Sequence, residues 1–219
     1  MQNKTKTLTT LAALCALSYL VMMVGRIPLV PAVGFLKYDP KDVVITIGGF
    51  LFGPMAAFFI SLVVSVVEML TVSDTGPIGL LMNVLSTCAF ACTAAAIYKK
   101  NRTQKGAVLG LLAGVVLMTL VMLLWNYFIT PLYLNYPREA VAAMLLPGFL
   151  PFNLIKSTLN AAITMLLYKP LVNGLRRANL LPKRDGVPAQ GRVSVGVILV
   201  SLLILASIVL LVLVLQGVI

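Results

Sequence analysis

The sequence predicts an all-α, polytopic membrane protein whose chain crosses the bilayer seven times. Three observations predict it. Across 219 residues the composition is 60% hydrophobic and only 11% charged, far from that of a water-soluble domain. Apolar runs of about 20 residues, each able to cross a hydrocarbon core of roughly 30 Å, recur along the chain and leave no room for a separate soluble domain. Polar and apolar residues do not alternate within these runs, which excludes the strands of a membrane barrel and leaves helices as the spanning form.

The net charge of +11 does not point to nucleic acid, because the basic residues sit in short groups between apolar spans rather than on an aromatic-interleaved face. Cys15, Cys88 and Cys92 lie in apolar helical sequence and there is no histidine, so no metal or haem site is expected and the cysteines read as packing residues.

The first span, Leu8 to about Gly25, follows Lys4 and Lys6 and lacks a small-residue cleavage signature before Arg26 and Pro28, so it reads as a retained helix. Ala12 and Ala16 give it the small-xxx-small spacing that admits a close helix neighbour, either from this chain or from a partner. Pro28 to Asp42 is a loop with an apolar character (Leu29, Val30, Val33, Phe35, Leu36). It is expected either to fold back over a cavity as a lid or to lie in the interfacial zone.

Val43 to Leu70 is apolar but, at about 28 residues, too long for one comfortable span. The breaker Gly53-Pro54 splits it into two helices. Glu68 and Asp74 are then expected at or beyond the outer end of the third span, leaving no carboxylate in mid-membrane. Ile78 to Tyr98 is the fourth span and carries Asn83, Ser86 and Thr87 on one face. After the basic loop from Lys99 to Lys105, the fifth span opens on Gly106, Gly110 and Gly114, a close-packing ridge. Near its end Thr119, Asn126, Thr130 and Tyr133 share a face, and Trp125, Tyr127 and Tyr136 mark a membrane boundary.

The sixth span, about Leu150 to Leu171, is unlike a plain anchor. Asn153, Lys156, Ser157, Asn160 and Thr164 make one polar stripe at helical spacing. A lysine in hydrocarbon costs roughly 2.5 to 3.5 kcal/mol, so Lys156 requires water, a partner or a bound molecule facing it. A basic linker with Arg176, Arg177, Lys183, Arg184 and Arg192 follows, then a seventh span, Val193 to Val218, with no polar stripe and no expected ligand contact. The domain reading is a core over 1–174, a basic linker over 175–192 and an additional C-terminal helix over 193–219.

Lys and Arg on alternate sides set the orientation. One side collects the bases near Lys4, Lys99, Lys105, Lys169 and the linker; the other holds only Arg26, Lys37, Lys41 and Arg138. The first side, with the N-terminus, is therefore cytoplasmic and the C-terminus extracellular if the seventh helix spans. Polar patches on the fourth, fifth and sixth spans are expected to converge beneath the apolar loop as a pocket opening outward. Asn126, Asn153 and Asn160 offer donors and acceptors and Lys156 offers donors and charge, which suits a neutral, planar, hydrogen-bonding molecule. The chain has no Gly-rich phosphate loop and no nucleophile with a base, so it neither hydrolyses ATP by itself nor reads as an enzyme.

Four separated stretches carry a resemblance: Phe35-Leu36-Lys37-Tyr38-Asp39-Pro40-Lys41-Asp42-Val43, Gly48-Gly49-Phe50-Leu51-Phe52-Gly53-Pro54, Trp125-Asn126-Tyr127-Phe128 and Pro151-Phe152-Asn153-Leu154-Ile155-Lys156. Together, over residues 1 to about 175, they resemble the riboflavin-specific substrate-binding (S) components, the RibU family, of energy-coupling factor (ECF) transporters. The resemblance implies a six-helix S-component core in the cell membrane, with riboflavin as transported ligand and no cofactor; the additional C-terminal helix and its basic linker depart from the family's six-helix form. It implies that Asn126, Asn153 and Lys156 meet the flavin while Leu36, Lys37, Tyr38 and Asp39 close over it; Asn160, on the same polar stripe as Asn153 and Lys156, joins the expected site by its spacing. It also implies partners, a transmembrane coupling subunit touching Ala12 and Ala16 and two cytoplasmic ATPases. The alternatives are an S component for another vitamin, with cationic thiamine disfavoured by the missing carboxylate, and a membrane scaffold whose polar residues only join helices.

Overall fold

The computed structural model describes residues 4–180 and 195–218; Lys183, Arg184 and Arg192 of the expected linker lie outside them, while Arg176 and Arg177 continue the last helix of the core, not the linker. The order is α1 (Lys4–Val24), β1 (Ile27–Pro28), β2 (Lys37–Tyr38), α2 (Lys41–Phe52), α3 (Pro54–Thr71), α4 (Gly76–Thr87), α5 (Thr93–Lys100), α6 (Gln104–Leu134), α7 (Arg138–Met144), α8 (Leu150–Arg177) and α9 (Val195–Leu215). π-Helical turns at Cys88–Cys92 and Leu145–Phe149 join α4 to α5 and α7 to α8. Six of the resulting helices among the described residues are long and apolar enough to cross a membrane.

The seventh expected span, α2, is not among them: its 12 residues reach only about 18 Å, short of a hydrocarbon core of roughly 30 Å. It survives because Lys41 through Phe50 are all buried inside the bundle, where neighbouring helices rather than lipid meet its ends. The break after it falls where the sequence places it. Gly53 takes φ +98, a left-handed conformation that a side chain resists, and Pro54 supplies the first turn of α3. α2 and α3 thus form a helical hairpin, held at one end by Lys41 against Glu68 and at the other by Gly49 against Ala57. A Cβ on Gly53 would come within 4.0 Å of Lys99 Cδ, so the hairpin tip points to the basic loop and its open end to the lid.

The glycine ridge of α6 is a contact surface. A Cβ on Gly110 would lie 2.7 Å from the Ala94 carbonyl oxygen, and one on Gly114 2.7 Å from that of Phe90. Backbone meets backbone there, the arrangement that compensates for the weak hydrophobic drive between helices in lipid. In α1 the buried residues Thr10, Leu14, Ser18 and Met22 form the inward stripe, and Ala12 and Ala16 are exposed on the other face. Packing of that small-residue pair within its own chain is therefore not what the fold uses. α9 packs one face on α8 and is otherwise exposed.

Replacing Gly110 by Ala should force α5 and α6 apart and lower stability by about 1 to 3 kcal/mol. Gly174→Ala, with nothing within 4 Å of the new Cβ, should raise stability by about 0.5 to 1 kcal/mol through helix propensity. Thermal unfolding in detergent measures both; a Gly110→Ala protein as stable as the parent would refute the close approach.

Candidate functional site

The apolar loop is a lid. Ile27 and Pro28 pair antiparallel with Tyr38 and Lys37, closing a small hairpin. Leu29, Val30, Val33 and Leu36 are buried in one cluster with Val141, Phe149, Phe152 and Ile155. Its apolar residues thereby leave water, which decides between the two expectations for this segment. Gly148 makes the seat possible: a Cβ there would lie 2.7 Å from Val33 Cγ1. The Phe35 ring meets that of Phe149 edge-on, with centroids 6.0 Å apart.

Beneath the lid lies a cavity of about 270 Å³. The lid contributes Phe35, Leu36, Lys37 and Asp39; α3 and the following turn give Glu68, Ser73, Asp74 and Thr75. α4 gives Met82, Asn83 and Ser86, α6 gives Met122 and Tyr133, and α8 gives Phe152, Asn153 and Lys156, with Arg26 beside the lid. Three spans thus converge under the loop, as the polar patches predict, though of the expected α6 patch only Tyr133 lines the cavity, with Met122 beside it in place of Thr119, Asn126 and Thr130.

The wall is organised by charge. Lys156 Nζ lies 3.5 Å from Asp39 Oδ2 and 4.0 Å from Asp42 Oδ2. Lys41 Nζ lies 3.6 Å from the same Asp39 oxygen and also binds Glu68, which accepts at 2.9 Å from Arg26. Asn83 donates to Glu68 Oε2 at 2.9 Å, and Thr87 donates to Asp42 Oδ1 at 2.6 Å. The expectation that no carboxylate stands near the buried lysine is therefore wrong. Asp39, Asp42 and Glu68 are all buried, Glu68 facing inward rather than outward. Hydropathy reads these acids as span ends, whereas the short α2 and the returning lid carry them inside.

Thiamine's positive charge consequently cannot be set aside for want of a carboxylate. What disfavours a charged ligand is balance: among the lining residues Arg26, Lys37 and Lys156 face Asp39, Glu68 and Asp74, so a net ligand charge would be left uncompensated in a partly desolvated site.

Burial pushes the Asp39 carboxyl up, but the Lys156, Lys41 and Arg26 cations outweigh it and hold the group below the usual carboxylate range. It is ionised at neutral pH. Its Oδ2 serves the two lysines while Oδ1 is buried with no hydrogen-bond partner. Burial, then the charges of Asp39 and Asp42, raise the Tyr38 phenol well above its ordinary value, so it remains a donor. It donates at 3.0 Å to Asn160 Oδ1, and Asn160 Nδ2 donates at 3.3 Å to Asp42 Oδ2.

Of the residues singled out from sequence, Leu36, Lys37, Asp39, Asn153 and Lys156 line the cavity. Tyr38 and Asn160 stand behind the wall and brace it. Asn126 is buried within its own helix, donating at 2.7 Å to the Met122 carbonyl and accepting at 2.9 Å from Thr130; its neighbours Met122 and Tyr133 reach the cavity instead. Sequence reasoning missed Arg26, Glu68 and the rim at Ser73, Asp74 and Thr75 as lining residues. The clustering of charges on either side of short apolar runs is the signal that could have found them.

A sequence model of the family "ECF transporter, substrate-specific component" matches residues 6–168. The riboflavin transporter RibU of Staphylococcus aureus is 33% identical over 182 residues, 80% of this chain and 95% of the relative. The riboflavin transporter FmnP of Bacillus subtilis is 27% identical over 189 residues, covering 81% and 99%. A solved structure of the S component of a bacterial ECF transporter superposes with a TM-score of 0.67 at 32% identity, covering 80% of this chain and all of that one (100%). With the family matched over most of its length and the lidded helical cavity in place, this chain belongs to the substrate-specific components of ECF transporters, which are transport subunits rather than enzymes.

Proposed function

We propose that this chain captures riboflavin at the outer face of the cell membrane and that partner subunits drive its release inside. The observation that carries the reading is the convergence of Lys156, Asn153 and Asp39 on the cavity beneath the lid, in a wall whose charges balance, with Asp39 Oδ1 buried beside it and without a hydrogen-bond partner. The pyrimidine edge of an isoalloxazine presents carbonyl, N–H and carbonyl in a row. Asp39, its buried Oδ1 turned toward the cavity, accepts from the N–H, while the Lys156 ammonium and the Asn153 N–H not already given to the Phe149 carbonyl donate to the carbonyls. Leu36, Phe152, Met82 and Met122 cover the faces of the ring. The ribityl hydroxyls leave toward the polar rim of Ser73, Asp74, Thr75 and Lys37. The names of the similar S. aureus and B. subtilis proteins, both riboflavin transporters, support the same ligand.

The lid end faces outward because the bases gather at the other end, which makes the N-terminus cytoplasmic. The exposed ridge of Ala12 and Ala16 on α1 is the contact to a transmembrane coupling subunit, since small residues let a partner helix approach closely. Two cytoplasmic ATPases supply the energy that this chain, without a phosphate loop, cannot.

Protein purified in detergent should carry a yellow flavin or quench riboflavin fluorescence on titration. A colourless protein that ignores riboflavin would favour the scaffold reading, and saturation by thiamine, biotin or folate instead would favour another vitamin. Lys156→Met is a poor probe of contact, because it strips Asp39 and Asp42 of a cation and such losses cost about 3 to 5 kcal/mol of stability. Asn153→Leu leaves the charges intact and should weaken riboflavin by about 1 to 3 kcal/mol; unchanged affinity would remove Asn153 from the site. Ala16→Trp should prevent copurification with the coupling subunit while sparing flavin binding. An intact complex would return that ridge to a lipid-facing role.

A further inference from the structure

α9 carries a uniformly apolar sequence, yet the structure uses only one of its faces. Val197, Ser201, Ile204, Ile208 and Val212 recur at helical spacing on the side turned to the bundle, while Leu199, Leu203, Val209 and Leu210 are exposed. That inner face does more than rest on α8. Ile208 is buried in the same cluster as the lid residues Leu29, Val30, Val33 and Leu36, with Ile204, Leu205 and Val212 packed against it. One turn beyond, Gln216 Nε2 donates at 3.2 Å to the carbonyl of Pro28, the residue whose strand partner Lys37 lines the cavity. The family match ends at residue 168, so α9 lies wholly beyond it.

We infer that α9 is a strap for the lid, with Ile208 and Gln216 as positioning residues that hold the hairpin against α8 and set how fast ligand is exchanged. Opening the lid requires Leu29, Val30 and Val33 to leave their cluster. With α9 docked, the lid must leave a cluster that Ile208 helps to close and must also break the Gln216–Pro28 hydrogen bond, so the closed lid gains stability that the open one lacks. The strap acts on release more than on capture, because contacts made only in the closed state lower the dissociation rate. No residue of α9 touches the cavity, so its effect passes through the lid.

The inference rests on the lid covering the ligand, and two readouts on the full chain separate it from the choice of ligand. Ile208→Ala combined with Gln216→Ala should speed amide hydrogen exchange across lid residues 29–38 in protein without added flavin, and leave α2 and α6 amides unchanged. Riboflavin dissociation, followed by displacement, should accelerate about tenfold with little change in association rate. Ile208→Val should restore both, and Leu203→Ala, on the lipid side, should alter neither. Unchanged lid exchange in the double variant, or equal acceleration in Leu203→Ala, would overturn the strap. Failure of the parent protein to bind riboflavin would count against the proposed ligand, with the exchange comparison still deciding the strap.

Discussion

The structure depends on one buried charge network. Arg26, Lys41 and Lys156 interlock with Glu68, Asp39 and Asp42, so that the end of α1, the lid, the start of α2, the end of α3 and the second turn of α8 share a single electrostatic knot. A buried ion pair is weak evidence for net stability, since desolvation offsets much of the Coulomb attraction. Its asymmetry is what matters: any one partner withdrawn leaves a charge stranded in a poor dielectric. The lid therefore cannot drift far while Asp39 and Lys41 remain engaged, and the position of the cavity roof is tied to helices that are distant in sequence.

In the proposed site that knot accounts for how a membrane protein can hold an uncharged, polar ligand. Lys156 is only 6% exposed, and its charge is already met by acids, so its donor capacity is available without demanding an anionic guest. Asp39 divides its work in the same way: one oxygen serves the lysines and the other is buried without a hydrogen-bond partner, which the proposed site gives to a donor of the ligand. Tyr38, Asn160 and Thr87 brace the acids from behind, which keeps the groups at the cavity surface in fixed directions. Preorganisation of this kind lowers the ordering cost of binding.

Local chemistry was legible in the sequence and long-range return was not. The hairpin tip at Gly53-Pro54 could be read because a left-handed glycine before a proline has few other uses, and the Gly106–Gly110–Gly114 ridge because small residues at fourfold spacing imply backbone contact. The polar stripe of α8 followed from helical periodicity alone. In contrast, nothing in the pattern around Asp39 and Asp42 says that they meet Lys156, more than a hundred residues later. Asn126 satisfies itself through Met122 and Thr130, and a polar residue that bonds within its own helix has the same spacing as one facing a ligand. In α9, hydropathy without contrast hides which face docks.

The central claim, that an ionised Asp39 oxygen receives a ring N–H from a neutral flavin, is tested most directly by comparing riboflavin with its N3-methyl derivative in a fluorescence-quenching titration. The methyl group removes the one donor on that edge and leaves both carbonyls. The account predicts a loss of at least about tenfold in affinity, because the buried carboxylate oxygen is again left without a partner. Equal affinity for the two flavins would contradict it.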